Sequence, residues 1–296
     1  MLYHYTSAAA LNSILHNSPS DRGICFWATR FDCFGDHKEY KLGVETIRRL
    51  LPRIEASLQP DRQVAHLFDW DEIYNNQSCF WPYVISYTST FDNDYMWEEY
   101  ADNSKGVVLA LDDSRPIQLL NTTLFMIKSC LYLGKIDEES ITKEIESEYF
   151  NAAFGMLQGP RQEVAFALLQ NNPQFFVRLI ALYLLSFVAP RIKDGKFHKE
   201  QETRAIISSP LPNTELLFQP PLAIEEQLVK YMELAKQMMA NEKSRKRANG
   251  DVVFYKELYL PSSILTKIYV KDKSIVGDIH QILNDKGYKN IGVVLV

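Results

Sequence analysis

The sequence is poor in the features that usually announce chemistry. Its four cysteines (Cys25, Cys33, Cys79 and Cys130) are scattered, and none forms a C-x-x-C pair. That spacing argues against a zinc ribbon or a thioredoxin-type site, and the thiols read as buried or incidental residues of a reducing compartment. There is no P-loop, no Rossmann glycine fingerprint, no G-x-S-x-G and no H-E-x-x-H. Positive charge is not in excess. A net charge of −5 gives no general footprint for nucleic acid, although a local basic groove stays open. The longest apolar run, residues 175–188, is interrupted by Arg178 and is too short to span a bilayer. The first residues lack a basic segment followed by an apolar one, so no secretory signal is expected. These absences predict a cytoplasmic protein with no membrane partner.

What is present is ordinary material for a core. In 296 residues, 46 % are hydrophobic and 23 % charged, enough for one large domain or two small ones. Alternation and turn signals predict strands over 2–5, 24–28, 83–88, 107–111, 125–133, 202–208, 252–258, 265–270 and 291–296. Helical spacing marks residues 8–15, 38–58, 62–74, 94–101, 138–188, 224–246 and 275–283. Pro52 is expected to kink or split the second of these, and Asn249-Gly250 to stop the sixth. Strands at both ends with helices between them predict one α+β domain over 1–296, built on a mixed sheet, with 138–188 as a helical subdomain insertion.

Three segments carry the candidate chemistry. In Tyr3-His4-Tyr5-Thr6-Ser7, an extended chain puts His4 and Thr6 on one side, at a strand end that enters a helix. The plain alternative is a capped helix with a surface histidine. In Glu200-Gln201-Glu202-Thr203-Arg204, an extended chain projects both carboxylates and the guanidinium from one face. Such a set could stabilise developing positive charge, or form a solvated ion pair of little consequence. Ser86 and Tyr87, followed by Trp97 and Tyr100, could make a stacking wall, or could be core. Two weaker groups are Asp36 and Glu39 near His37, a possible cation site, and Lys243-Ser244-Arg245-Lys246-Arg247. The latter reads either as a phosphate contact or as a basic helix C-terminus.

In this order the segments resemble a bacterial family, domain of unknown function 2971. The shared motifs are YHYTS (Tyr3 to Ser7), an acidic turn ending at Glu39, and the strand Val84 to Thr88. They continue with W-x-x-Y-A (Trp97, Tyr100, Ala101), the strand after Gly106, E-x-E-x-R (Glu200, Glu202, Arg204) and the stretch from Leu260-Pro261 to Val296. At the acidic turn Gly35 replaces the family's usual asparagine.

More distantly, the ordered His4, Ser86 or Tyr87, and Glu202 resemble ADP-ribosyltransferase folds. That resemblance implies a split sheet and NAD as co-substrate, with no metal expected. Glu202 would be the catalytic carboxylate with Glu200 beside it. His4 and Thr6 would hold the ribose, Tyr87 or Trp97 would stack on the base, Arg204 or Glu200 would position the substrate, and Ser86 and Tyr100 would complete the cofactor site. The function expected on this resemblance is glycosyl transfer from NAD, or its hydrolysis, by a defence or toxin-like effector. The alternatives are a non-catalytic nucleotide-binding sensor and a metal-dependent nuclease or phosphohydrolase using Asp36, Glu39 and Glu200. The expected partner is a small nucleotide. Nucleic acid is open but not indicated by net charge.

Overall fold

A computed structural model describes residues 1–15, 23–34, 38–57, 63, 65–71, 82–113, 125–155, 180–181, 183–208, 242–247 and 249–296. Its strands are β1 (Leu2–Thr6), β2 (Ile24–Arg30), β3 (Tyr83–Thr88), β4 (Val107–Leu111), β5 (Phe125–Ser129) and β6 (Leu131–Leu133). They continue with β7 (Ile192–Asp194), β8 (Glu202–Ile207), β9 (Lys243–Lys246), β10 (Val252–Leu260), β11 (Leu265–Val270) and β12 (Gly292–Leu295). The helices that position the site are α1 (Ala8–Ile14), α2 (Lys38–Glu55), α3 (Asp94–Tyr100), α4 (Glu138–Gly155) and α5 (Val276–Asp285). The protein is α+β. All the described strands except β6 and β7 join one mixed sheet in the path β12-β11-β4-β1-β3-β2-β10-β9, with β8 on β3 and β5 on β8. Only β11 and β12 run parallel within it.

Strand β3 is the branch point. One edge pairs with β8 along its whole length, from Tyr83 opposite Ile207 to Thr88 opposite Glu202. The other edge is shared: β1 meets it at Thr88, and β2 meets it at Tyr83 and Val84. The sheet therefore forks beside Ser86 into two wings, β1-β4-β11-β12 and β2-β10-β9.

Side-chain alternation gives each face its own core. Tyr83, Ile85 and Tyr87 of β3 and Ala205 and Ile207 of β8 join Leu11, Ile14, Ile279 and Leu283 of α1 and α5. Val84 and Ile206 face the other way, toward Val44, Ile47 and Leu51 of α2 and Ile141, Ile145 and Tyr149 of α4. A third group, Tyr5, Val108, Met96 and Trp97, seats α3 on that second face. Among the described residues, no helix is long and apolar enough to cross a membrane.

Several expectations need correction. Helix α2 runs through Pro52 to Glu55, because the proline sits in the last turn, where little helix remains to disrupt. The strand expected over 125–133 is two strands. Cys130 leaves the ladder to donate its N–H to the Glu202 carbonyl oxygen at 2.9 Å, and β6 then pairs with β7 instead. The helix expected over 224–246 lies largely outside the described residues, but its last four residues are strand β9. Asn249-Gly250 is a hairpin turn between β9 and β10, with Gly250 at φ +90° and the Arg247 N–H bonded to the Asp251 carbonyl oxygen. Asparagine-glycine between two β-rich runs is a hairpin signal. Residues 156–179 and 182 of the expected 138–188 helical block, and residues 62, 64 and 72–74 of the expected 62–74 helix, also lie outside the described residues; within the latter a 3₁₀ turn covers Ala65–Leu67.

Candidate functional site

The E-x-E-x-R segment lies on the second face, where chain geometry forces charges together. Arg204 and Glu202 are neighbours on one side of β8, opposite Ser86 and Thr88. Glu200 is not on the strand. It ends a 3₁₀ turn, Gly195–Glu200, and the chain reverses at Gln201, φ +44°. The reversal still returns the Glu200 carboxylate to the same cluster. From the other side comes α2, which approaches residues 189–191 closely because position 43 is glycine: a Cβ there would meet the Ala189 carbonyl oxygen at 2.1 Å. This approach delivers Glu39.

The result is a closed ionic cluster. Arg204 donates from Nε to Glu202 Oε1 at 2.8 Å and from Nη2 to Oε2 at 3.1 Å, a bidentate pair. It also donates to the Pro190 carbonyl oxygen and pairs with Glu39. Lys193 Nζ donates to Glu202 Oε2 at 2.5 Å and to Glu200 Oε2 at 2.6 Å, and lies 3.9 Å from Glu39 Oε1. The Tyr100 hydroxyl donates to Glu200 Oε1 at 2.9 Å, and the Tyr132 hydroxyl accepts the Glu202 N–H at 2.7 Å. Phe31 and Phe34 lie 5.3 and 6.0 Å from the Arg204 guanidinium. All five charged residues are buried, but Tyr100, whose hydroxyl covers Glu200, is 46 % exposed, so this tyrosine is where the cluster approaches the surface.

The electrostatics follow from burial set against pairing. Burial pushes the Glu202 carboxyl up, but Arg204 and Lys193 outweigh it and hold the group down to about 2. For Glu39 burial wins, and its carboxyl rises despite the same two cations. Lys193 rises because Glu202, Glu39 and Glu200 outweigh its burial. Three carboxylates thus share two cations.

Residues 96–205 match the family model described as "Protein of unknown function (DUF2971)". The resemblance expected from the motifs therefore holds over that segment. The DUF2971 match runs from α3 to β8 and takes in Tyr100, Lys193, Glu200, Glu202 and Arg204. It stops short of Glu39, His4 and Ser86. No curated protein and no solved structure matches the chain.

The remaining candidates separate. His4 sits in the fork: its Nδ1 donates to the Ser86 carbonyl oxygen at 2.9 Å, since a carbonyl can only accept. Its ring meets Phe26 at 5.0 Å and Tyr87 at 5.7 Å, both in the first-face core. His4, Tyr87 and, by alternation, Thr6 therefore lie across the sheet from Glu202, and the structure does not bring them together. Trp97 is fully buried, donates to the Phe91 carbonyl oxygen at 2.9 Å and packs edge-on against Tyr5 at 5.5 Å. Tyr87 is 2 % exposed. Both are core residues, so the expectation of a base-stacking wall is corrected for each. Ser86 is partly buried with its side chain on the Arg204 face, and Tyr100 alone of the four reaches the surface beside a carboxylate.

Asp36 and His37 lie outside the described residues, among which no group of three or more His, Cys, Asp or Glu could hold a metal. Lys193 escaped the sequence reading. The signal that could have found it is charge balance, since the buried carboxylates of Glu200 and Glu202 need more than one arginine.

Proposed function

We propose that the chain breaks the glycosidic bond of NAD, with Glu200 rather than Glu202 as the carboxylate that faces the reacting sugar. One observation carries this reading: in a buried cluster of three carboxylates and two cations, Glu200 lies directly under the hydroxyl of an exposed tyrosine, Tyr100. Surplus negative charge held in a dry site favours a cation. In NAD cleavage the C–N bond breaks with its electron pair leaving on nicotinamide, and the ribosyl carbon turns cationic. An acceptor, water or a macromolecular nucleophile, then supplies the new bond and gives its proton to Glu200. Tyr95 and Tyr100 flank this carboxylate, and burial followed by the Glu200 charge pushes both hydroxyls up. His198 and Lys199, exposed on the preceding turn, offer hydrogen bonds and positive charge to the phosphates.

A second reading rests on Glu202, whose two oxygens are both engaged by Lys193 and Arg204. A carboxylate so fixed suits a binding module without turnover. One experiment separates the two: calorimetric titration with NAD, with chromatography of the same samples for nicotinamide. Turnover that falls about 10²–10³-fold in Glu200→Gln, the size of loss typical for one electrostatic group, supports glycosyl cleavage. Binding without nicotinamide supports the module. Turnover unchanged in Glu200→Gln, or no binding at millimolar NAD, removes the NAD reading.

A further inference from the structure

The hairpin of β9 and β10 carries a feature unrelated to the ionic cluster. In a chain of net charge −5, four of the five residues from Lys243 to Arg247 are cations, and all five residues are exposed. Alternation places Lys243, Arg245 and Arg247 on one side of the ribbon and Lys246 on the other. Lys243 is paired with Glu257 at 2.7 Å. Among the described residues, neither Arg245 nor Lys246 has a carboxylate within ion-pair distance, and Arg247 reaches only the Cys33 carbonyl oxygen, at 3.1 Å.

The second observation is aromatic. The Arg245 guanidinium lies 4.8 Å from the Trp27 ring, which in turn leans on Tyr255 at 4.7 Å with 31° between planes. Trp27 is 37 % exposed, one of few large apolar side chains at the surface among the described residues. Strand β10 thus lies between a basic strand and a strand that offers a flat ring on the same face. On the opposite face Arg30 lies 4.0 Å from the Phe254 ring, but Asp32 and Glu242 neutralise it.

From this juxtaposition we infer that the β9–β10 hairpin is a binding surface for single-stranded nucleic acid. Arg245 and Arg247 on the Trp27 face, with Lys246 reaching round from the other side of the terminal strand β9, follow a phosphate backbone, and Trp27 with Arg245 supplies a platform for an unpaired base. Uncompensated cations alone would serve any polyanion. An exposed indole beside them selects a partner with free π-faces, which a single strand has and an acidic peptide or a closed duplex lacks.

The test is fluorescence anisotropy with labelled single strands of about 20 nucleotides, oligo-dT and oligo-U, in about 50 mM salt. The expected result is saturable binding that weakens as salt rises. The Arg245→Glu, Lys246→Glu double variant is expected to lose at least about tenfold in affinity and to flatten the salt dependence. Trp27→Ala is expected to lose about fivefold or more at unchanged salt slope, because stacking releases no counterions. Lys246→Glu alone removes an exposed charge and guards against a folding artefact of Trp27→Ala. Its expected loss is about twofold or more, again with a shallower slope. No binding of the parent protein, variants that bind like the parent, or equal affinity for a glutamate-rich peptide or a blunt duplex would each overturn the proposal.

Discussion

The two faces of the β3–β8 strand pair divide its twelve residues between them and solve opposite problems. On the first, Tyr83, Ile85, Tyr87, Ala205 and Ile207 join an apolar core. On the second, Ser86, Thr88, Glu202 and Arg204 are interleaved with only Val84 and Ile206. Burying apolar area is favourable residue by residue and degrades gradually when one is cut back. Burying charge is unfavourable until the partners arrive together, and then stands or falls as a unit. The difference teaches where this fold is brittle.

The largest expected effect breaks the charged face. Arg204→Met removes the bidentate partner of Glu202 and the cation beside Glu39, leaving three buried carboxylates with Lys193 alone. A loss of ~3–5 kcal/mol is expected, the usual cost of uncovering one side of a buried pair. Urea titration at neutral pH measures it. A loss under about 1 kcal/mol, as for an exposed pair, would mean that water reaches the cluster and that the two faces differ less than their contacts suggest.

The next effect sharpens the comparison by pH. Glu202 is held down to about 2 in the fold. Its stabilisation is complete above the ordinary glutamate range and is lost as pH falls from there through the folded value, ~3 kcal/mol in all. Glu39 is shifted upward and opposes it, favouring the fold below the ordinary range and withdrawing that support as pH rises through its folded value. On the apolar face, burial lowers His4, outweighing its bond to Ser86. The unfolded chain then takes up a proton below about pH 6.5 that the fold resists, so stability falls as pH drops through that value. Urea midpoints from pH 3 to 8 should therefore show two separate declines. His4→Gln should remove the upper one. Glu202→Gln should start less stable and flatten the lower one. Profiles identical to the parent's would erase the assignment of one titration window to each face.

The apolar face was the legible one. Leu11, Ile14 and Leu15, three and four apart in the sequence, form the buried stripe of α1, and Ser7 just before it is its cap, whose Oγ accepts the Ala10 N–H at 3.2 Å. Strand order was not in the pattern, because pairing between β1 and β4 or β3 and β8 joins residues about a hundred positions apart. The charged face was legible only as residue types. Glutamate and arginine at a spacing of two look the same on a solvated strand and in a core, and the deciding groups, Lys193 and Glu39, come from other elements. Order along the chain also misled. His4, Tyr87 and Glu202 follow one another as an enzyme's residues would, yet alternation across β1, β3 and β8 sends the first two to one face and the third to the other.

The smallest expected effect tests whether the apolar face is as indifferent to polar groups as its composition implies. The Tyr87 hydroxyl is buried and has no hydrogen-bond partner among the described residues, and burial pushes it well above the ordinary tyrosine range. An unmet hydroxyl costs free energy in the fold that it does not cost in water. Tyr87→Phe keeps the edge-on contacts with His4 and Phe26, at 5.7 Å each, and deletes only that liability. Stability should hold or rise, by at most ~1 kcal/mol. A loss beyond about 1 kcal/mol, read from the same urea titrations, would reveal a water bound to that hydroxyl inside the fork. The apolar face would then depend on a buried polar contact just as the charged face does, and the contrast between them would be one of degree.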